Sequence, residues 1–552
     1  MFRSSLHDRL FLIALGALLF LPFLGSVHLF DWDEANFAEA AREMLITGNF
    51  MRVQIDFQPF WQKPPLFFWL QAGAMSLFGI NEFAARLPNA LFGIITMVVV
   101  YGIGKRHYDR KFGLLWALAF PAAILPHVFY KSGIIDPVFN LFIFLGIVNL
   151  WKATSRSRAD SGMRDWILSG LFIGLAVMTK GPVAFLIASL CLGVYWATTR
   201  FQWLFTFKQL AVFTGTVAAV NLLFYGVETA LHGTWFIREF IAYHIELFST
   251  SESGHGRPVW YHPVVLLFGV FPVSILAIRS FYTKTADSGE QREFRRWMLV
   301  LFWVVLTLFS IVKTKTVLYS SLTYFPLTFL GARHVYAVVT GRIAWQRRYS
   351  VALIVVGILV AIPFISFPLL MLNREWLVAR IPDAFTAANL SRRAVVWSGW
   401  ESLAGVSFLL LSILAVSIAG KPGSIRRGAI ALLLSAIGIS TVLTTFMRPI
   451  EQHTQGGAIL LYKRFAQRDD VYVHSMFKSF ADLFYTRLQP QDNPLAHDKE
   501  WLLTGPIDKP AYFVQRNYKA EGAQRRYGLH YVESEGGFVL LKRDAVKQPD
   551  SF

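Results

Sequence analysis

The sequence predicts a mainly α, polytopic membrane protein of about thirteen transmembrane helices, closed by a small C-terminal α/β unit. Three observations carry this. Of 552 residues, 55% are hydrophobic, 16% aromatic and only 16% charged, whereas a soluble protein carries about 25% charged residues. The apolar residues gather in runs of roughly 16–22, long enough to cross a hydrocarbon layer of ~30 Å as a helix. Basic residues concentrate in the short links between alternate runs. Together these exclude a soluble enzyme, a disordered chain and a coiled coil.

The first run, Leu10–Val27, follows Arg3 and Arg9. No small-residue cleavage site ends it and twelve more runs follow, so it reads as a first span rather than a signal peptide. Further spans are expected near 87–104, 112–130, 137–151, 166–178, 181–199, 209–226, 262–278, 297–312, 317–332, 350–372, 402–419 and 428–445. With the N-terminus inside, the first cytoplasmic links carry Lys105, Arg106, Arg110 and Lys111, then Lys152, Arg156, Arg158 and Arg164, then Arg200 and Lys208. The later ones carry Arg292, Arg295 and Arg296, then Arg342, Arg347 and Arg348, then Lys421, Arg426 and Arg427. Every expected inside link is basic, as the positive-inside rule requires. The excess of Lys+Arg (53) over Asp+Glu (35), a net +18, therefore reflects topology and not a nucleic-acid partner. A single cysteine, Cys191, lies inside an apolar run, so neither a disulfide framework nor a Cys-based metal site is expected.

An odd number of spans places the tail outside. The expected organisation is a transmembrane catalytic unit over 1–445, with outer loops 28–86, 227–261 and 373–401, and an outer α/β unit over 446–552. Short apolar stretches such as Val471–Val473 and Phe538–Leu541 suit strands there. Within the first loop, Asp33–Thr47 has apolar residues at helical spacing, and Pro64–Phe78 is apolar enough to lie along the interface. Transporters commonly show short links and an internal repeat, and no repeat is visible here. Large outer loops point to work at the outer membrane–water boundary.

Acids are scarce, so those at an outer membrane edge stand out. Asp33 and Glu34 follow the first span, and Asp136 opens the fourth in Lys131-Ser-Gly-Ile-Ile-Asp-Pro. Acids in the first turn of a helix favour its dipole, and Asp136 before Pro137 suits a helix start. Ionisable groups at membrane depth are also functional candidates, and both readings can hold together. Lys63, Lys180, Lys313 and Lys315 lie at expected outer ends of spans, which the positive-inside rule does not favour. Singly, each could snorkel toward headgroups. Together they suit a phosphate site, where Lys acts as a point charge and Tyr319 adds a directional hydrogen bond.

These pieces form a pattern. Asp33-Glu-Ala-Asn-Phe-Ala-Glu39 with Arg42-Glu-Met-Leu45, then Trp61-Gln-Lys-Pro64, resembles the first-loop signature of bacterial lipid-carrier-dependent glycosyltransferases of the GT-C class. Asn81-Glu-Phe-Ala-Ala-Arg-Leu87, Asp136-Pro137 and Thr179-Lys-Gly181 extend the resemblance, as do His255, Trp260-Tyr261 and Lys313–Tyr319. Within that class the chain is similar to the aminoarabinose transferases of lipid A and, more distantly, to the protein O-mannosyltransferases. The likeness weakens over 350–552. It departs at Gln62, where those enzymes usually carry Glu, and at Leu247, where they usually carry Arg.

The resemblance implies a GT-C fold, Asp33 and Asp136 as the acidic pair with Glu34 beside them, and Lys63 and Tyr319 at the carrier phosphate. Lys180, Lys313 and Lys315 are further phosphate candidates, and Arg42, Trp61, Gln62, Arg86, Arg257 and Tyr261 are candidates for substrate contact. The expected reaction moves a sugar from a polyprenyl-phosphate donor to an acceptor on the outer face, with inversion at the sugar carbon. Lipid A, another envelope glycan or a protein could accept it. Asp33 would act as base toward a hydroxyl, or as an electrostatic partner if the acceptor is already an anionic phosphate. No Gly-rich nucleotide loop is present, which agrees with a lipid-linked donor. A divalent metal on His244, Glu246 and His255 is the one cofactor considered, against unrelated surface histidines. A monomer in the bacterial inner membrane is expected. The rival classes are a lipid-carrier transporter or flippase and an envelope scaffold.

Overall fold

The computed structural model describes residues 2–31, 33–155, 162–249, 257–282, 287–420 and 423–546. Arg156, Arg158, Lys421 and His255 lie outside the described residues, as does the side chain of His244. The chain is mainly helical. Helices α1 (Phe2–Phe20), α2 (Asp33–Thr47), α3 (Leu66–Phe78), α4 (Glu82–His107), α5 (Arg110–Ala119), α6 (Ile124–Phe129), α7 (Asp136–Thr154), α8 (Met163–Lys180) and α9 (Val183–Thr198) make up its first part.

Seven helices among the described residues have the length and apolarity to cross a bilayer. They are α4, α7, the stretch Phe207–His232, Gly289–Ile311, Arg347–Leu372, Ser402–Ala419 and Ile425–Thr454. A bent pair, Tyr261–Gly269 and Val273–Tyr282, turns by 116° at Pro272. Other expected spans are built of shorter pieces. The stretch 112–130 divides into α5 and α6 around Pro121, and 317–332 begins with a tight turn, Val317–Thr323, before Tyr324–Val339.

The first helix differs from expectation. It occupies Phe2–Phe20 rather than 10–27, because Pro22 cannot continue it and the polar end before Leu10 is drawn in. Asp8 is buried there, accepting from Arg110 Nε and Nη2 at 2.6 and 2.7 Å and from the Tyr101 hydroxyl at 2.6 Å. A carboxylate so neutralised lets the helix start deeper in sequence than hydropathy alone suggests.

The two first-loop helices fall where their patterns placed them. A hairpin of two short strands, β1 (Gln54–Ile55) and β2 (Gln58–Pro59), separates them. Near the C-terminus a mixed sheet contains β3 (Tyr472–Ser475), β4 (Ala511–Arg516), β5 (His530–Glu535) and β6 (Phe538–Arg543) in the order β3-β4-β6-β5. Strands β3 and β4 are parallel, and the remaining pairs antiparallel. Alternation buries Phe513, Val539 and Leu541 with Ile507 and Leu529 in a small core. The boundary expected after residue 445 falls inside the unbroken helix Ile425–Thr454.

Residues 451–487 are stitched to the first loop. Glu451 Oε1 lies 3.0 Å from His28 Nδ1, Gln455 bridges the Leu29 carbonyl and the Asp31 amide, and Asp31 Oδ1 accepts from the Phe480 amide. The Tyr485 hydroxyl accepts from the Leu29 amide at 2.7 Å, and Arg487 donates to the Ile80 carbonyl at 2.7 Å. Both ends of the loop are thereby held.

Candidate active site at the helix ends

Adjacent residues on an α-helix project roughly 100° apart, at 3.6 residues per turn. Asp33 and Glu34 open α2, so one can face a cavity while the other enters the protein. Glu34 is the one that enters. It is 4% exposed and grips Arg86, with Nε to Oε1 at 2.9 Å and Nη2 to Oε2 at 2.7 Å. It also accepts from the amides of Gly133 and Phe30. These partners outweigh burial and hold its carboxyl below the ordinary carboxylate value. Arg86 donates in addition to the carbonyls of Leu24, Val27 and His28 at 2.7–2.9 Å. Glu34, expected at the catalytic site, and Arg86, expected in substrate contact, are thus paired in the interior, where they pin the stretch 24–28 to α4.

Arg42, expected in substrate contact, is held in a similar way. It is 1% exposed, clasps Glu39 through two bonds of 2.7 and 2.6 Å, and donates to the Leu488 carbonyl at 2.7 Å. With its guanidinium so engaged, it braces α2 against the C-terminal part.

Asp33 remains half-buried at the start of α2. Its carboxyl is pushed above the ordinary value, first by loss of water and then by the negative charge of Asp136, while Lys180 and Lys63 oppose the shift. The four groups therefore share one electrostatic neighbourhood although they come from four segments. Asp136 is the first residue of α7, and Lys180 is the last of α8 before Gly181, whose φ of +113° turns the chain sharply. Lys180 Nζ meets Asp136 Oδ1 at 2.6 Å. The other Asp136 oxygen, Oδ2, has no hydrogen-bond partner among the described residues.

Tyr319 joins this group. Its ring centroid lies 5.9 Å from Lys180 Nζ, which also sits 5.7 Å from the Phe139 ring. Lys63 reaches in from the loop before α3, with Nζ 5.3 Å from the Tyr243 ring. Pattern reading did not single out Tyr243, one aromatic among many in a long loop. Two cations, two carboxylates and a phenol thus share one neighbourhood at these helix ends.

The other expected residues are distributed around this group. Lys315, an expected phosphate candidate, is buried and donates to the Val312 carbonyl at 2.8 Å. Lys313 is exposed. Trp61 packs edge-on against Trp235 with centroids 6.0 Å apart, and Gln62 beside it is half-buried. Arg257 lies 4.9 Å over the Tyr261 ring. Glu246 is exposed, His262 is buried, and no group of three metal-capable side chains occurs among the described residues.

Residues 62–227 match the family described as dolichyl-phosphate-mannose-protein mannosyltransferase. The undecaprenyl phosphate-alpha-4-amino-4-deoxy-L-arabinose arabinosyl transferase of Erwinia tasmaniensis is 28% identical over 330 residues, 58% of this chain and 57% of the relative. That of Enterobacter sp. strain 638 is 27% identical over 342 residues, 60% of each chain. The matched stretch thus spans less than two thirds of these relatives' length. The crystal structure of ArnT from Cupriavidus metallidurans bound to undecaprenyl phosphate aligns over 98% of this chain and 99% of its own, with a TM-score of 0.77 and 18% identity. Its apo form aligns over the same shares with a TM-score of 0.73. The chain has the GT-C fold of ArnT and resembles, over residues 62–227 in the family match, the lipid-carrier-dependent glycosyltransferases of that class.

Proposed function

We propose that this chain is an integral membrane glycosyltransferase that moves a sugar from a polyprenyl-phosphate donor to an acceptor at the outer leaflet of the inner membrane. The proposed arrangement has thirteen crossings, an inside N-terminus and residues 446–552 folded as an α/β domain on the outer face. The observation that carries the reading is the convergence of Asp33 and Asp136 with Lys63 and Lys180 at one set of helix ends.

The chemistry follows from charge. In the donor, the phosphate is a diester with one negative charge. As the bond from the sugar carbon to the phosphate oxygen breaks, the carrier leaves as a monoester with additional negative charge. Cations already in place stabilise that transition state more than the ground state. Lys63 and Lys180 hold this role, with the Tyr319 hydroxyl as a hydrogen-bond donor. Asp136 orients Lys180 by their 2.6 Å contact. Asp33, its carboxyl raised toward neutrality, takes the proton of an acceptor hydroxyl; against an anionic phosphate of lipid A it instead stabilises positive charge at the sugar carbon. The relatives named as aminoarabinose transferases make an amino-pentose on undecaprenyl phosphate the first donor to test, with lipid A as first acceptor.

The experiment is transfer by the purified full chain in detergent, across a panel of synthetic polyprenyl-phosphate sugars, with mass spectrometry of lipid and glycan acceptors. A single sugar mass gained by one acceptor, and lost in Asp33→Asn, is expected. Wild-type transfer that survives intact in Asp33→Asn would overturn the site.

A further inference from the structure

The turn of the β1–β2 hairpin is made by Asp56 and Phe57, whose φ angles are +58° and +54°. Two-residue hairpin turns of this left-handed kind are ordinarily built from Asn or Asp followed by Gly, so Phe57 is the unusual member. Bulky L residues rarely adopt that region, and strained backbone persists where surrounding structure over-determines it. Two contacts from outside the hairpin hold this turn. The Phe57 amide donates to Glu43 Oε2 on α2 at 2.9 Å. Asp56 Oδ1 lies 2.9 Å from His497 Nδ1. His497 ends the short turn Pro494–His497, more than four hundred residues away in the chain. Asp56 draws the His497 ring toward its protonated form, which strengthens their contact.

What the hairpin carries is the more telling part. The Phe60 amide closes the hairpin onto the Val53 carbonyl at 2.9 Å, and Ile55 and Val53 are buried beneath it. Lys63 follows three residues later. Pro64 and Pro65, both buried, then lead directly into α3. Prolines with fixed φ leave little slack on that side. A displacement of the hairpin would therefore pass to Lys63 with little to absorb it.

We infer that Asp56 and His497 form a clamp by which the C-terminal part of the chain sets the position of Lys63, with Glu43 as its second jaw. These three are positioning residues that act through Lys63 and touch no reacting atom. The inference rests on the proposed transferase reading, in which Lys63 faces the carrier phosphate. It gives residues 472–546 a part in the reaction itself.

The test compares the purified full chain with Asp56→Ala, His497→Ala, the double variant, and the conservative Asp56→Asn and His497→Gln. Transfer kinetics are read as kcat and KM for a synthetic polyprenyl-phosphate sugar, beside thermal unfolding. Each alanine variant is expected to lower kcat by roughly tenfold or more, as ångström misplacement of a catalytic group does, with donor KM nearly unchanged. The double variant should be no slower than the worse single one, because both remove the same contact. His497→Gln, which keeps a donor, should recover part of the rate. Wild-type kcat in every variant, or losses that multiply in the double variant, overturns the clamp while leaving the transferase reading in place. If an alanine variant does not fold, Asp56→Leu and His497→Phe, which fill similar space without the contact, decide: wild-type kcat in both overturns the clamp. Absence of transfer by the wild type across the donor panel fails the underlying reading, and this inference with it.

Discussion

Lys180 and Asp136 meet at 2.6 Å across the seam between two neighbouring helices, one at its C-terminal end and the other at its N-terminal end. The lysine sits where a helix presents carbonyls and the aspartate where a helix presents amides, so each charge also complements its own helix dipole. Their side chains are 16% and 3% exposed, so neither charge is well solvated without the other. Breaking such a pair from one side costs ~3–5 kcal/mol because a charge is left buried alone.

Lys180→Met should therefore unfold at a markedly lower temperature than Lys180→Met combined with Asp136→Leu. The check is thermal unfolding of both variants in one detergent. Equal destabilisation would mean that the two charges do not depend on each other.

Arg86→Ala should be the most damaging change in the first loop. It removes two bonds to Glu34 and three to backbone carbonyls, leaving a buried carboxylate unpaired. A loss of about 3–5 kcal/mol or more is expected, visible as aggregation in size-exclusion chromatography. Glu34→Gln, which keeps an acceptor for Arg86, should remain monodisperse and partly active.

The raised Asp33 carboxyl sets the pH dependence of transfer to a hydroxyl acceptor. The ionised form is the working one, so activity should rise with pH through a value above the ordinary 3.8 and fall as pH drops through it. A kcat/KM profile from pH 4 to 8 reads this limb. With a phosphate acceptor, titration of the acceptor itself would overlay it.

Asp482, in the C-terminal part, offers a stability test. Burial lifts its carboxyl to about 7 from 3.8, although Oδ2 accepts from the Ser475 amide at 2.8 Å. The folded chain thus keeps a proton that the unfolded chain releases. Its stabilising contribution is full below pH 3.8 and disappears as pH rises through about 7. Asp482→Asn, which cannot ionise, should melt at a higher temperature than wild type at pH 8 and show a flatter dependence between pH 5 and 8.

Much of this protein was legible along the chain. Hydropathy is a local property, so long apolar helices such as Arg347–Leu372 and Ser402–Ala419 lie where their runs placed them. Helical spacing likewise located Asp33–Thr47, and the apolar stretch 64–78 marked where Leu66–Phe78 forms. The acidic and basic groups near outer helix ends could be picked out because charge is rare in this composition. The start of the first helix was not legible, since Asp8 becomes tolerable only beside Arg110 and Tyr101, about a hundred residues on.

The amino-acid order by itself determined which charges were available: Asp33, Glu34, Arg42, Lys63, Arg86, Asp136, Lys180 and Lys315. Tertiary structure decided which of them face one another. Glu34 and Arg86 paired in the interior across fifty-two residues, whereas Asp33, Lys63, Asp136 and Lys180 came into one neighbourhood. The reason is physical. Whether a segment enters the membrane depends on the summed hydropathy of neighbouring residues, but the partner of a buried charge is set by whichever distant segment the packing brings within about 3 Å.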